Sequence, residues 1–134
     1  MTTTIVPKLQ DFHINGVKHI TPEESFELLK NGTAVILDVR EAEEVSFERI
    51  ADAKTLYIPL AEVILSLDKL PHDKTLIVVC RAGIRSAKIA NLLNYQGFPN
   101  ALNLDGGINM WKSFGLPMES SNSRSCGCGC NCGG

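Results

Sequence analysis

Seven consecutive residues, Cys80-Arg81-Ala82-Gly83-Ile84-Arg85-Ser86, put one thiol, two guanidinium groups, a glycine and a hydroxyl within a short span. Cysteine chemistry runs through the thiolate, and an ordinary thiol, with a pKa of about 8.5, needs help to ionise near neutral pH. Nearby cations and a helix N-terminus both provide it. Arg81 and Arg85 are the cations, and a helix opening near Ser86 offers unpaired backbone N–H groups. Ala82 and Gly83 leave the backbone room to curl around the sulfur, and successive N–H groups in such a curl make an anion-binding nest. Ser86 is placed to cap the helix or to donate to a bound anion. A small, near-tetrahedral anion with a transferable sulfur suits the same features, because the guanidinium fork matches oxyanions. The expectation is Cys80 as nucleophile, with Arg81, Ala82, Gly83, Ile84, Arg85 and Ser86 binding the substrate.

The competing reading of Cys80 is a plain core cysteine, common after apolar strands. The arginines weigh against it. A helix N-terminus is electrostatically the wrong end for cations, so Arg81 and Arg85 are expected to serve an anion.

The elements that must hold this loop follow from the surrounding pattern. Ala34-Val35-Ile36-Leu37-Asp38-Val39 and Thr75-Leu76-Ile77-Val78-Val79 are continuous apolar runs, as in strands buried on both faces. Leu56-Tyr57-Ile58 and Ala101-Leu102-Asn103-Leu104 are shorter strand candidates, and 17–20 is a candidate edge strand. Thr21-Pro22-Glu23-Glu24 is a helix start, with a capping Thr, Pro at the first position and Glu completing a capping box. That helix stops at Asn31-Gly32. Further helices are expected at 43–49, 60–67, 86–96 and 108–114, with Gly97 ending the third. Strands alternating with helices argue for an α/β domain with a mainly parallel central sheet flanked by helices on both faces. Ligands of such sheets sit beyond the carboxyl ends of the strands, where Cys80 falls.

The chain has 134 residues, a formal net charge of −2 and no block of basic residues. One domain is expected at 17–118, preceded by an arm over 1–16 and followed from Glu119 by a flexible Ser/Asn/Gly/Cys tail. Nucleic acid and membrane are not expected partners. The first residues lack a charged start followed by an apolar run, so no secretory signal is read and a cytoplasmic location is expected. Neither cofactor nor metal is expected at the Cys80 loop. His13, His19 and His72 are scattered, and none is assigned as a general base.

The loop resembles the active-site loop of the rhodanese family, Cys-Arg-x-Gly-x-Arg-Ser. Leu37-Asp38-Val39-Arg40-Glu41 resembles the family's signature after its central strand, and Ile58-Pro59-Leu60 its next landmark. Asn103-Leu104-Asp105-Gly106-Gly107-Ile108, with Trp111 and Gly115-Leu116-Pro117, resembles its C-terminal signature. Four landmarks in order, spanning roughly 17–118, are far more specific than the loop alone. The resemblance implies a rhodanese-like fold and a ping-pong sulfur transfer. Cys80 would take the outer sulfur of a small anionic donor such as thiosulfate and pass it from a persulfide to cyanide or a thiol, including a protein thiol. It implies that Arg85 holds the sulfonate end and Arg81 assists at the rim. Asp38 and Arg40 are expected in supporting roles, with a carboxylate at a strand end orienting the loop through backbone N–H groups. A surface ion pair is the alternative for Asp38. Trp111 and Gly106-Gly107 are assigned to packing and a tight turn. Four residues separate Cys80 from Arg85. Phosphatases and arsenate reductases with a related loop typically have five, so sulfur is favoured over a phosphoryl group.

Two features depart from the family. Glu48-Arg49-Ile50-Ala51-Asp52-Ala53 stands where relatives often carry Gly-His-Ile-x-Gly-Ala, with Asp52 expected where glycine allows positive φ, a conformation Asp tolerates better than most residues. Cys126, Cys128, Cys130 and Cys132 crowd the C-terminus. They are open to three readings: thiolate ligands for zinc or Cu(I), a relay taking sulfur from Cys80, or idle thiols. The second function class is accordingly a binding module that delivers metal or sulfur through this tail.

Overall fold

The computed structural model describes residues 3–51 and 53–120. Asp52 and the cysteines of the tail lie outside them. A five-stranded sheet runs in the order β1 (His19–Ile20), β6 (Ala101–Leu104), β5 (Thr75–Val79), β2 (Ala34–Asp38) and β4 (Thr55–Tyr57), and every neighbouring pair is parallel. β2 is buried along its whole length. Its alternate side chains feed two cores. Val35 and Leu37 join Leu76 and Val78 of β5 on one face, while Ala34 and Ile36 join Ile77 and Val79 on the other.

Helix α3 (Ile84–Tyr95) covers the first face through Ile89, Ala90 and Leu93. Helices α1 (Pro22–Lys30) and α4 (Gly107–Ser113) cover the second, where Phe26 meets the edge of Trp111 at 5.9 Å between ring centroids. With helices on both faces, the central strands β2 and β5 must be apolar on both sides, as their sequences are. Thr21 caps α1 as expected, its Oγ1 accepting from the Glu24 N–H at 3.3 Å with Pro22 in the first turn, but no reciprocal bond to the Glu24 side chain completes a capping box. Trp111 is buried and donates from Nε1 to the Pro117 carbonyl at 2.8 Å.

Three elements differ from expectation. The 43–49 helix stops early: α2 spans Ala42–Phe47, and Glu48–Ile50 turns into strand β3, antiparallel to β7 (Met118–Ser120). An ion pair from Arg49 Nε to Glu119 at 2.9 Å ties the two strands. This pairing joins segments far apart in sequence, so local periodicity could not show it, and it carries strand two residues into the segment read as tail. The 60–67 helix is a 3-10 helix over Leu60–Lys69, broken at Ser66. Its buried residues, Val63 and Ser66, lie three apart, the repeat at which 3-10 side chains eclipse, and Leu60 and Leu67 pack beside them on the core. The N-terminal arm is docked: Thr4 exchanges backbone hydrogen bonds with His19 at 2.9 and 2.7 Å. Among the described residues no helix is long and apolar enough to cross a membrane.

Candidate active site

The chain leaves β5 at Val79 and enters α3 at Ile84, and the turn between them wraps the Cys80 sulfur. Gly83 has φ +92°, a left-handed conformation that glycine adopts without strain. That turn aims two amides at one atom. Gly83 N–H donates to Cys80 Sγ at 3.1 Å and Ser86 N–H donates to it at 3.3 Å. The loop carbonyls point the other way. Cys80 O accepts from Ile108 N–H at 3.0 Å and Arg81 O from Asn109 N–H at 3.0 Å. The free amides of the first turn of α4 thus hold the loop from outside, while its Gly83 and Ser86 N–H groups face the sulfur. The close approach depends on Gly107, where a Cβ would sit 2.6 Å from both carbonyl oxygens.

Cys80 is only 1% exposed and borders the core built by Leu76, Val78 and Val39. Burial and the amide cradle therefore coexist: the core side packs the strand, and the loop side supplies hydrogen bonds no aliphatic pocket offers. Ser86 does not cap the helix. α3 opens at Ile84, two residues before the expected start, with Gly83 as its cap. The Ser86 hydroxyl donates to Asn103 Oδ1 and lies 3.3 Å from Sγ.

The two arginines already have an anion, and it is Glu44 of α2. Arg85 meets Glu44 in a two-pronged pair, Nη1 to Oε1 at 2.9 Å and Nη2 to Oε2 at 3.0 Å. Arg81 Nε stands 3.6 Å from Oε2. The Arg85 hydrogen bond, helped by the Glu41 N–H and by both arginine charges, holds the Glu44 carboxyl down at about 2, against the opposing effect of burial. The same bond raises Arg85, to which the charge and hydrogen bonding of the Cys80 sulfur add. Cations at the start of α3 do serve an anion, but in this structure a protein carboxylate supplies it.

Asp38 and Arg40 form a buried pair, not a surface one. Arg40 Nη2 lies 2.9 Å from Asp38 Oδ2, and both side chains are 2% exposed or less. Asp38 Oδ1 also accepts from the Arg40 N–H at 3.1 Å. The carboxylate orients Arg40, not the Cys80 loop. Arg40 then reaches the other way, donating to the carbonyls of Glu44 at 3.3 Å and Glu48 at 2.9 Å. It fixes the end of α2 and with it the wall that bears Glu44.

Sequence reasoning gives no role to Glu44 or Gln10, and gives Asn103 only as part of the C-terminal signature. Glu44 looked like one of several helix glutamates. Asn103 sits in a buried strand, where a lone amide among Leu102 and Leu104 is the available signal. Asn103 Nδ2 donates to His19 Nδ1 at 3.0 Å, which keeps that nitrogen an acceptor, and burial lowers the His19 pKa in agreement. His72 stacks on Phe98 with ring centroids 4.3 Å apart. Among the described residues no group of three or more His, Cys, Asp or Glu is placed to hold a metal. A surface cavity of about 310 Å³ on the flank of α2 is lined by Arg40, Val45, Tyr57 and Pro59.

The family model of the rhodanese-like domain matches residues 21–114. A thiosulfate sulfurtransferase GlpE of Actinobacillus succinogenes is 36% identical over 102 residues, covering 76% of this chain and 90% of that protein. A sulfurtransferase of Allochromatium vinosum is 33% identical over 103 residues, covering 76% and 94%. A crystal structure of a rhodanese-related protein from Thermoplasma volcanium superposes with a TM-score of 0.67 at 33% identity, covering 75% of this chain and 96% of that one.

Proposed function

Since the chain belongs to the rhodanese-like domain family and is a rhodanese-type sulfurtransferase, we propose that Cys80 is its nucleophile and carries sulfane sulfur as a persulfide. The Cys80 thiolate attacks the outer sulfur of thiosulfate or a similar donor. The donor's S–S bond breaks, its electron pair leaves with sulfite, and a new S–S bond joins the sulfur to Sγ. A nucleophilic acceptor, cyanide or a thiol, then attacks that outer sulfur and the Cys80 thiolate departs with the bonding pair. One hard displacement becomes two easier ones. The observation that carries this reading is the pair of amides, from Gly83 and Ser86, converging on Sγ. They stabilise negative sulfur on each departure, and as preorganised donors they need no rearrangement to do so.

Arg85 is the sulfonate anchor, assisted by Arg81 at the exposed rim, with the loop amides from Arg81 to Ser86 lining the cradle. Glu44 makes that anchor a contested one. A dianionic donor reaches the guanidinium by displacing or sharing its carboxylate, and in doing so opens the rim over a sulfur that is otherwise enclosed. The test is turnover of thiosulfate to thiocyanate with cyanide. Cys80→Ser should be inactive. Arg85→Ala should raise the KM for thiosulfate at least tenfold, about 1.4 kcal/mol of lost binding, with a smaller change for an uncharged polysulfane donor. Equal activity in Cys80→Ser removes the proposal.

A further inference from the structure

The arm upstream of the matched family region ends against the catalytic loop. The N–H groups of Lys8 and Leu9 donate to the buried Asp105 carboxylate at 2.7 and 3.1 Å. They deliver the Gln10 side chain between the end of β6 and the loop, where its amide is fully engaged. Oε1 accepts from Gly106 N–H at 2.7 Å and from Asn103 Nδ2 at 3.2 Å. Nε2 donates to Phe12 O at 2.7 Å and to Gly83 O at 3.0 Å. Gly106 N–H can only donate, so the amide's orientation is fixed, with NH2 toward Gly83.

Gly83 is the residue whose N–H reaches the sulfur. Its carbonyl belongs to the next peptide unit, shared with the Ile84 N–H, and in a planar trans peptide these two point in opposite directions. A carbonyl held outward by Gln10 therefore keeps the Ile84 amide turned inward. Glycine at a left-handed position is the residue least able to hold its own peptide plane. The carbonyls of Cys80 and Arg81 are held by α4, and Gly83 has Gln10 as its holder. The contact is close: a Cβ built on Gly83 would meet Gln10 Oε1.

We propose that Gln10 is a positioning residue for sulfur transfer. Its amide N–H locks the Gly83–Ile84 peptide so that the Ile84 N–H completes the donor set around the transferred sulfur. The inference rests on the Cys80 persulfide reading above. Two substitutions separate its parts. Gln10→Glu keeps an oxygen for Gly106 and Asn103 but has no donor for Gly83, while Gln10→Met removes both without adding charge. Single-turnover loading with thiosulfate is followed by mass, and the Ile84 amide by 15N–1H correlation spectra before and after loading. Both variants should still gain one sulfur at Cys80, at rates about 10- to 100-fold below wild type, with the loss in the maximal rate and not in KM. The Ile84 amide shift on loading should vanish in both. A Gln10→Glu protein that loads at the wild-type rate, a loss confined to KM, or an Ile84 shift that survives would each overturn the inference. Wild-type protein that gains no sulfur at Cys80 would instead remove the reading beneath it.

Discussion

Replacing Glu44 with Gln keeps the shape of the rim and removes the charge that neutralises Arg85. Its carboxyl is held near 2 against an ordinary 4.5. That difference corresponds to at most about 3 kcal/mol of preferential interaction with the ionised form. The Glu44 and Arg85 side chains are 21% and 35% exposed, so solvent screening brings the figure to roughly 1–2 kcal/mol. Thiosulfate now competes against that sum. Without the carboxylate its KM should fall about 5- to 30-fold, at little cost in maximal rate. The folded protein loses the same stabilisation. Because the folded value is depressed, the contribution is complete above about pH 4.5 and disappears as pH falls through about 2, so the variant's acid-unfolding curve should be shallower in that window. Steady-state kinetics with varied thiosulfate and an acid titration by circular dichroism measure the two effects. An unchanged or raised KM would refute the competition and show that Glu44 orients Arg85 for the donor.

Other substitutions test the scaffold. Gly107→Ala places a Cβ 2.6 Å from the Cys80 and Arg81 carbonyl oxygens at φ +64°, so the loop must shift. Turnover should fall about 100-fold, while stability drops by roughly 1–3 kcal/mol in urea melts. Arg40→Ala strands a buried Asp38 carboxylate and frees the carbonyls of Glu44 and Glu48. A loss of about 3–5 kcal/mol is expected by denaturant titration, and Arg40→Lys should not restore it because a point charge cannot replace the fork. Leu93→Ala, buried under α3, should cost about 2–5 kcal/mol yet leave the KM for thiosulfate unchanged.

The sheet was legible because its strands are buried on both faces, which forces the unbroken apolar runs of β2 and β5. Cys80 drew attention because Arg81, Gly83 and Arg85 follow it where the apolar run of β5 ends. What stayed hidden depends on partners distant in sequence. Glu48-Arg49-Ile50 reads as the end of a helix until Met118–Ser120 pairs with it. Gln10 sits in an unpatterned arm, and its value lies in four hydrogen bonds to residues that include positions 83, 103 and 106. The arginines show both sides. Their presence at the wrong end of a helix announced an anion, but only coordinates could show that Glu44 of α2 provides it.

The central claim is that sulfur resides on Cys80 between donor and acceptor. Treating the full chain with thiosulfate, then digesting it under non-reducing acidic conditions, locates the added sulfur directly. The account predicts about 32 Da on the peptide containing Cys80, discharged by cyanide and absent from Cys80→Ser. An unmodified Cys80 peptide from protein that is turning over thiosulfate would contradict it.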